Sequence, residues 1–277
     1  MTSSIVLLDG PIGTQLSCRG VAVDLPSWSA RAINTAPEIL SQIHRDYADA
    51  GAVVHTANTF RTRHRTVGNN WRELTAKAVE IARHSVPIGH RIAGSLAPIF
   101  DCYRPDLSPS HPRNEHAEMA IELASAGCDL VLCETFPHVG EAIVAVDESV
   151  KTGLETWVAF TAGPNADLLS PYEMAEGARC AVDAGAATVL VNCTSAAQTT
   201  PFVKSLAGAK LNVPIGAYAN AGPAEDCLGF ANVSEHGIKQ YCDFALQWIE
   251  LGATLIGGCC GTGPMHIRAI RDRLLRN

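Results

Sequence analysis

The 277-residue chain is 47% hydrophobic and 18% charged, with a formal net charge of −7, a composition that suits one large globular core. No run approaches the roughly 18 apolar residues of a membrane helix. The first nine residues also lack the basic start and apolar core of a secretory signal, so a cytoplasmic protein is expected. The acidic balance argues against a nucleic-acid partner. The one basic cluster, Arg61, Arg63, His64 and Arg65, reads equally as a solvated face or as a holder of an anionic group.

Short apolar, β-branched runs alternate with helical patterns along the whole chain. A run at residues 5–9 ends in Asp9-Gly10; a helical pattern at 36–50 leads to a run at 53–57, followed by Asn58-Thr59. Helix 71–85, run 91–96, helix 114–126, run 130–134 ending in Glu134, and helix 139–151 come next. Then follow run 156–161, helix 171–184, run 188–193 ending in Asn192-Cys193, helix 200–209 and run 214–218. Helix 234–251, run 254–258 leading into Cys259-Cys260-Gly261, and helix 264–275 complete the series. The runs are nearly continuous in hydrophobic character, as strands buried on both faces are. Gly51, Gly127, Gly185 and Gly252 each stand between a helical pattern and the next run, a common helix stop. Eight such units without a composition break predict an α/β fold, a single (β/α)8 TIM-type barrel spanning residues 1–277.

In such a barrel the chemistry gathers where strands end. Polar and metal-binding types stand at those ends: Asp9, Thr56 to Thr59, Glu134, Asn192-Cys193 and Cys259-Cys260. Of the ten cysteines, Cys18, Cys128, Cys133, Cys180, Cys227 and Cys242 occupy apolar or helical contexts, where a thiol packs as a small hydrophobe. A disulfide framework is not expected in a cytoplasmic protein. Cys193, Cys259 and Cys260 are different, because the sixth and eighth strand ends can converge on one ion. Three thiolates suit zinc with an open fourth position. Glycines flanking the Cys259-Cys260 pair would let two successive side chains reach one metal. Spacing alone leaves open a redox-active vicinal pair, or cysteines that merely fill the barrel mouth. An open zinc site would ionise a substrate thiol and so suggests alkyl transfer to sulfur.

Seven segments closely resemble the homocysteine S-methyltransferase family and occur in its order: LLDGPIGTQL (7–16), GAVVHTANTFRTR (51–63), GSLAP (94–98), AGCDLVLCETF (126–136), LVNCTS (190–195), YANAG (218–222) and GGCCGTGPMHI (257–267). The last is highly specific, and together they span nearly the whole chain. The resemblance implies the barrel, zinc on Cys193, Cys259 and Cys260, and homocysteine as methyl acceptor. It also implies that Asp9 and Glu134 bind the amino-acid end of homocysteine. Asp9 otherwise reads as a turn residue, and Glu134 as a partner for a barrel arginine. Asn58, Thr59 and Asn192 are candidate substrate-binding residues, Asn192 equally a loop-backbone partner. His55 and His266 read as structural.

The expected reaction is direct displacement of a methyl group from an onium donor by homocysteine sulfur, giving methionine. Donor contacts are expected from the loop at 98–113, with Asp101, Tyr103 and Arg104, and from the loop at 220–232, with Glu225 and Phe230. Aromatic faces hold onium cations, and Arg61 or Arg63 could pair a donor carboxylate, a combination that favours an S-methylmethionine-like donor. The chain departs from relatives in reading ANTFRTRHR after the second run, which leaves the donor open. Competing readings are methyl transfer from a separate corrinoid or folate carrier, and a zinc- or thiol-binding barrel without catalysis. The sequence leaves the oligomeric state open, a homo-oligomer included.

Overall fold

The computed structural model describes residues 5–222 and 234–276. Eight strands, β1 (Val6–Leu7), β2 (Val54–Ala57), β3 (Arg91–Leu96), β4 (Leu130–Phe136), β5 (Glu155–Phe160), β6 (Thr188–Ser195), β7 (Ile215–Asn220) and β8 (Leu255–Gly258), pair in parallel in the order β1-β8-β7-β6-β5-β4-β3-β2. A parallel bridge from Leu8 to Val54 joins β1 to β2, so the sheet closes into a (β/α)8 barrel. The helices are α1 (Ile12–Cys18), α2 (Ala32–Thr35), α3 (Pro37–Ala50), α4 (His64–Val67), α5 (Trp71–Ser85) and α6 (Arg113–Ser125), followed by α7 (Val139–Val150), α8 (Pro171–Asp183), α9 (Ala196–Gly208), α10 (Glu235–Glu250) and α11 (Pro264–Leu274).

Strand alternation builds two cores. Leu8, Val54, Leu130, Leu132, Trp157, Leu190 and Leu255 fill the barrel interior. Val131, Cys133, Val158, Phe160, Val189 and Ile256 face outward into the helix layer. The four helix-stop glycines all adopt positive φ, from 86° to 114°. At each, the amide one residue on reaches back to the helix, for example Ala52 N–H to Tyr47 O at 3.0 Å and Ala253 N–H to Trp248 O at 3.0 Å. That pattern ends the helix and starts the next strand.

Several elements differ from the sequence reading. Helices α1, α2 and α4 and the 3-10 turn at Trp28–Arg31 lie outside the predicted runs and helical patterns. Helix α9 begins at Ala196 rather than at 200 and carries Pro201 inside it. Cys18 and Cys180 are exposed, not packed. Among the described residues no helix is long and apolar enough to cross a membrane.

Candidate active site

The strand ends β4 and β6 are distorted in the same way. Thr135 and Cys193 have φ of 63° and 50°, left-handed values that cost a side-chain-bearing residue energy. Ladder register shifts around each of them, as at a bulge that re-aims a side chain. Three contacts hold the pair: the Asn192 amide donates to Thr135 Oγ1 (2.8 Å), the Thr135 hydroxyl approaches Cys193 Sγ (3.9 Å), and Asn220 Nδ2 donates to Cys193 O (3.1 Å). On β8, Cys259 N–H bonds Ala219 O at 2.8 Å. Gly258 has no room for a Cβ, which would collide with the Thr262 side chain. The Tyr241 hydroxyl donates to the Ala219 and Gly257 carbonyls at 3.1 and 2.7 Å, tying β7 to β8.

The outcome is a convergence of sulfurs. The Cys193, Cys259 and Cys260 Sγ atoms lie within 4.8 Å of one another, although β7 stands between β6 and β8. The Cys193 and Cys259 sulfurs are in contact, with Cα atoms 5.7 Å apart, a span that admits either a shared metal ion or a disulfide. The reason is geometric: the bent end of β6 turns Cys193 toward Cys259, which follows β8.

These sulfurs stand at one side of a cavity of about 300 Å³ at the carboxyl ends of the strands. Asp9 and Glu134 line it as well. Thr56 donates to Asp9 through its N–H (2.8 Å) and its hydroxyl (3.1 Å). Glu134 accepts from Ser95 Oγ and from Tyr218 OH (3.0 Å). Burial pushes Asp9 up to about 8 despite the Thr56 bonds, and the Glu134 charge adds to the rise. Burial also raises Glu134, against the pull of Ser95 and Tyr218. No described Lys or Arg forms an ion pair with either carboxyl, so Glu134 is not half of a barrel salt bridge. Two buried acids facing one cavity without a described ion-pair partner are an arrangement that can receive a cationic group.

The remaining expected residues are placed unevenly. Arg61 lines the cavity and stacks over the Phe60 ring, its guanidinium carbon 5.3 Å from the centroid. Asn58 also reaches the wall, but its amide is engaged by Ser29, whose hydroxyl donates to Oδ1 (2.5 Å) and whose carbonyl accepts from Nδ2 (2.8 Å). Thr59 and Asn192 are absent from the described cavity wall; the Thr59 hydroxyl donates to Ser95 O at 2.9 Å. Arg63 is buried and turned to the Ala97 and Pro98 carbonyls at 2.7 and 2.6 Å, so it is not the free cation a donor carboxylate would need. Arg104 is exposed and paired with Asp106. His55 is buried against His90, Nε2 to Nδ1 3.0 Å, and His266 Nδ1 accepts from Gly263 N–H at 3.0 Å. Glu225, Phe230 and Cys227 lie outside the described residues.

The sequence reading passed over Trp28, Trp157, Ser95 and Cys102, all of which line the cavity. Trp28 comes from a segment without periodicity, and its indole seats on Gly13, where a Cβ would stand 2.5 Å from Nε1. Cys102 is buried and its thiol is pushed up to about 12 by that burial, so it is a neutral wall group.

A model of the family described as homocysteine S-methyltransferase matches residues 6–274. The chain belongs to the homocysteine S-methyltransferase family. It is therefore an enzyme of methyl transfer to a thiol, with homocysteine as acceptor. Homocysteine S-methyltransferase of Escherichia coli is 31% identical, over 97% of this chain and 95% of that protein. Betaine–homocysteine S-methyltransferase 1 of Rattus norvegicus is 29% identical, over 98% of this chain and 72% of that protein. The crystal structure of the homocysteine methyltransferase MmuM from Escherichia coli in metallated form superposes with a TM-score of 0.81 at 26% identity, covering 98% of this chain and 96% of that one. The same protein in oxidized form gives 0.79.

Proposed function

We propose that the chain moves a methyl group from a small zwitterionic sulfonium compound, of the S-methylmethionine type, to the sulfur of homocysteine, with zinc held by Cys193, Cys259 and Cys260. One observation carries this reading: three cysteine sulfurs and two unpaired buried carboxyls line the same cavity. The donor set fits the metal. Zinc–sulfur bonds of about 2.3 Å in a tetrahedron put sulfurs about 3.8 Å apart; the three Sγ atoms lie within 4.8 Å of one another, and the Cys193 and Cys259 sulfurs, in contact, would part to admit the ion. Cys193 and Cys259 must be reduced to serve, which a cytoplasmic setting would provide. When bound, zinc would supply the positive charge that keeps a substrate thiol ionised near neutral pH.

The chain's own residues do the rest. Asp9 and Glu134 receive the homocysteine ammonium, each carboxylate oriented beforehand by Thr56 or by Ser95 and Tyr218. Fixing the amino-acid end aims the acceptor sulfur and lowers the entropic cost of attack. Trp28, Phe60, Tyr103 and Trp157 on the walls offer ring faces to the sulfonium charge, and Arg61 pairs the donor carboxylate. The acceptor sulfur's electron pair forms the new S–C bond as the donor S–CH3 bond breaks, and the donor leaves as a neutral thioether. An anion and a cation become two neutral products, a change that a water-poor cavity favours.

The test is zinc content of the reduced protein together with methionine formation from homocysteine. S-methylmethionine, S-adenosylmethionine, betaine and dimethylsulfoniopropionate are compared as donors. One zinc per chain with turnover on S-methylmethionine is expected. Zinc without turnover on any onium compound would move the donor to a corrinoid or folate carrier, and absence of zinc would overturn the metal. Arg61→Ala should raise the donor KM more than the homocysteine KM; equal changes would remove the pairing.

A further inference from the structure

The cavity wall opposite the strand ends includes Asp101, Cys102 and Tyr103, from the segment at 99–108 between β3 and α6. That segment is largely exposed: Phe100, Asp101, Arg104, Asp106 and Leu107 all face solvent. Its internal ties are local, Tyr103 N–H to Asp101 Oδ1 at 2.8 Å and Arg104 N–H to Asp101 O at 3.1 Å. The segment also meets its surroundings through the Arg65 guanidinium, 4.6 Å from the Phe100 ring centroid, and through Tyr103 packed on the inner core. One buried carboxylate ties both of its ends. Glu141, in the first turn of α7, accepts from Ile99 N–H at 2.8 Å through Oε1 and from Ser108 Oγ at 2.7 Å through Oε2. His116 Nε2 of α6 lies 3.2 Å from Oε1. Just upstream, Arg63 holds the Ala97 and Pro98 carbonyls.

The chemistry of this cluster is that of an ionised clamp. Glu141 and His116 side chains are each 2% exposed. Burial alone would raise the Glu141 carboxyl, but the bonds from His116, Ile99 and Ser108 outweigh it and leave it below its usual range. Burial lowers His116, so the ring is neutral and its Nε2 carries the proton that faces the carboxylate. A neutral donor, a backbone amide and a hydroxyl thus satisfy one buried charge, an arrangement that is costly to break at any one point.

We propose that Glu141 is a positioning residue for the methyl donor. By clamping both ends of the 99–108 segment it fixes Asp101, Cys102 and Tyr103 as the donor-side wall, while touching neither substrate. The homocysteine end of the cavity, built from Asp9, Glu134 and the three cysteines, is anchored by other contacts and stays unchanged. The donor part of this inference rests on the function proposed above.

The experiment compares the zinc-loaded enzyme with Glu141→Ala, Glu141→Gln and Ser108→Ala. It reads the KM values for S-methylmethionine and homocysteine separately, and amide hydrogen exchange along the chain. Glu141→Ala should raise the donor KM about tenfold or more while homocysteine KM stays within about twofold, and exchange at 99–108 should quicken at least about tenfold with β3 and β4 unchanged. Ser108→Ala, which cuts one tie and leaves the charge satisfied elsewhere, should give an effect of about two- to fivefold in the same direction. It keeps the test decisive if Glu141→Ala does not fold. Glu141→Gln, still able to accept from Ile99, should recover much of the wild-type donor KM. Equal rises in both KM values, or exchange quickened throughout the barrel, would reduce Glu141 to a fold-supporting residue. A loosened segment with an unchanged donor KM would overturn its role as donor wall. If the wild type turns over no onium donor, the donor reading fails by itself, and the exchange measurement still decides whether Glu141 clamps the segment.

Discussion

Asp9 is held protonated in the substrate-free protein by its surroundings. Its carboxyl sits at about 8, well above the ordinary aspartate value of about 4. The groups nearest it, Glu134, Tyr47, His44 and His55, offer no positive charge at neutral pH, since burial lowers His44 to about 4 and His55 to about 3. Between about pH 4 and pH 8 the folded state binds a proton that the unfolded state has released, so stability falls as pH rises through this window. Asp9→Asn removes that penalty. The substrate-free variant should gain stability relative to wild type at pH 8 and little at pH 5, as thermal melts at the two pH values would read. The same substitution should weaken homocysteine binding, because the ammonium loses a charged partner. A variant equally stable relative to wild type at both pH values would show that Asp9 is already ionised. For Glu134→Gln, the Ser95 and Tyr218 contacts remain but the charge is lost, and homocysteine KM should rise about ten- to a hundredfold. An unchanged KM would place the ammonium elsewhere.

At the scale of elements, β4 and β6 carry the site because their last residues depart from regular geometry. Thr135 and Cys193 leave the ladder in the left-handed region, and the Asn192 amide stitches the two together. Asn192→Ala removes the donor to Thr135 Oγ1, and that hydroxyl is what approaches Cys193 Sγ. Loss of such an outer partner lowers metal affinity about tenfold or more. Competition against a chromogenic chelator should show that drop, with the circular dichroism of the barrel unchanged; an unaltered zinc affinity would make Asn192 a packing residue. These distortions also mark where the sequence stops being legible. Strand runs and glycine stops are local signals, so all eight strands and the four glycine ends fall where periodicity and composition put them. A positive φ at threonine or cysteine has no local signal, because neither residue prefers it; tertiary contacts impose it. Trp28 escaped for a related reason, since its segment has no apolar period and its seat on Gly13 is a long-range fit. Arg63 was misread as available because its carbonyl partners, Ala97 and Pro98, belong to another loop.

Closure of the barrel turns distant parts of the chain into one site. Strand β1 is only two residues long, yet its pairing with β8 and the Leu8–Val54 bridge seal the sheet. They set Asp9 O against Gly258 N–H at 3.0 Å, and Thr14 Oγ1 against Gly261 N–H at 3.2 Å. Cys193 and Cys259, brought together by this closure, can serve two exclusive states, the proposed zinc site or a disulfide. Sulfurs joined in a disulfide cannot also act as thiolate ligands, so oxidation of Cys193 and Cys259 would compete with the proposed zinc for the same atoms. Protein handled without reductant should carry well under one zinc and form no methionine. Reduction followed by zinc should restore about one ion per chain and activity together. For an ion that binds the folded state alone, zinc at a hundredfold excess over its Kd should stabilise the reduced protein by about 2.7 kcal/mol, read as a rise in Tm. The oxidised protein should show no such rise. Cys193→Ser removes one proposed ligand and the possibility of a disulfide to Cys259, and should make the melt insensitive to reductant while weakening the response to zinc. Full zinc loading of unreduced protein would mean that Cys193 and Cys259 do not hold the metal.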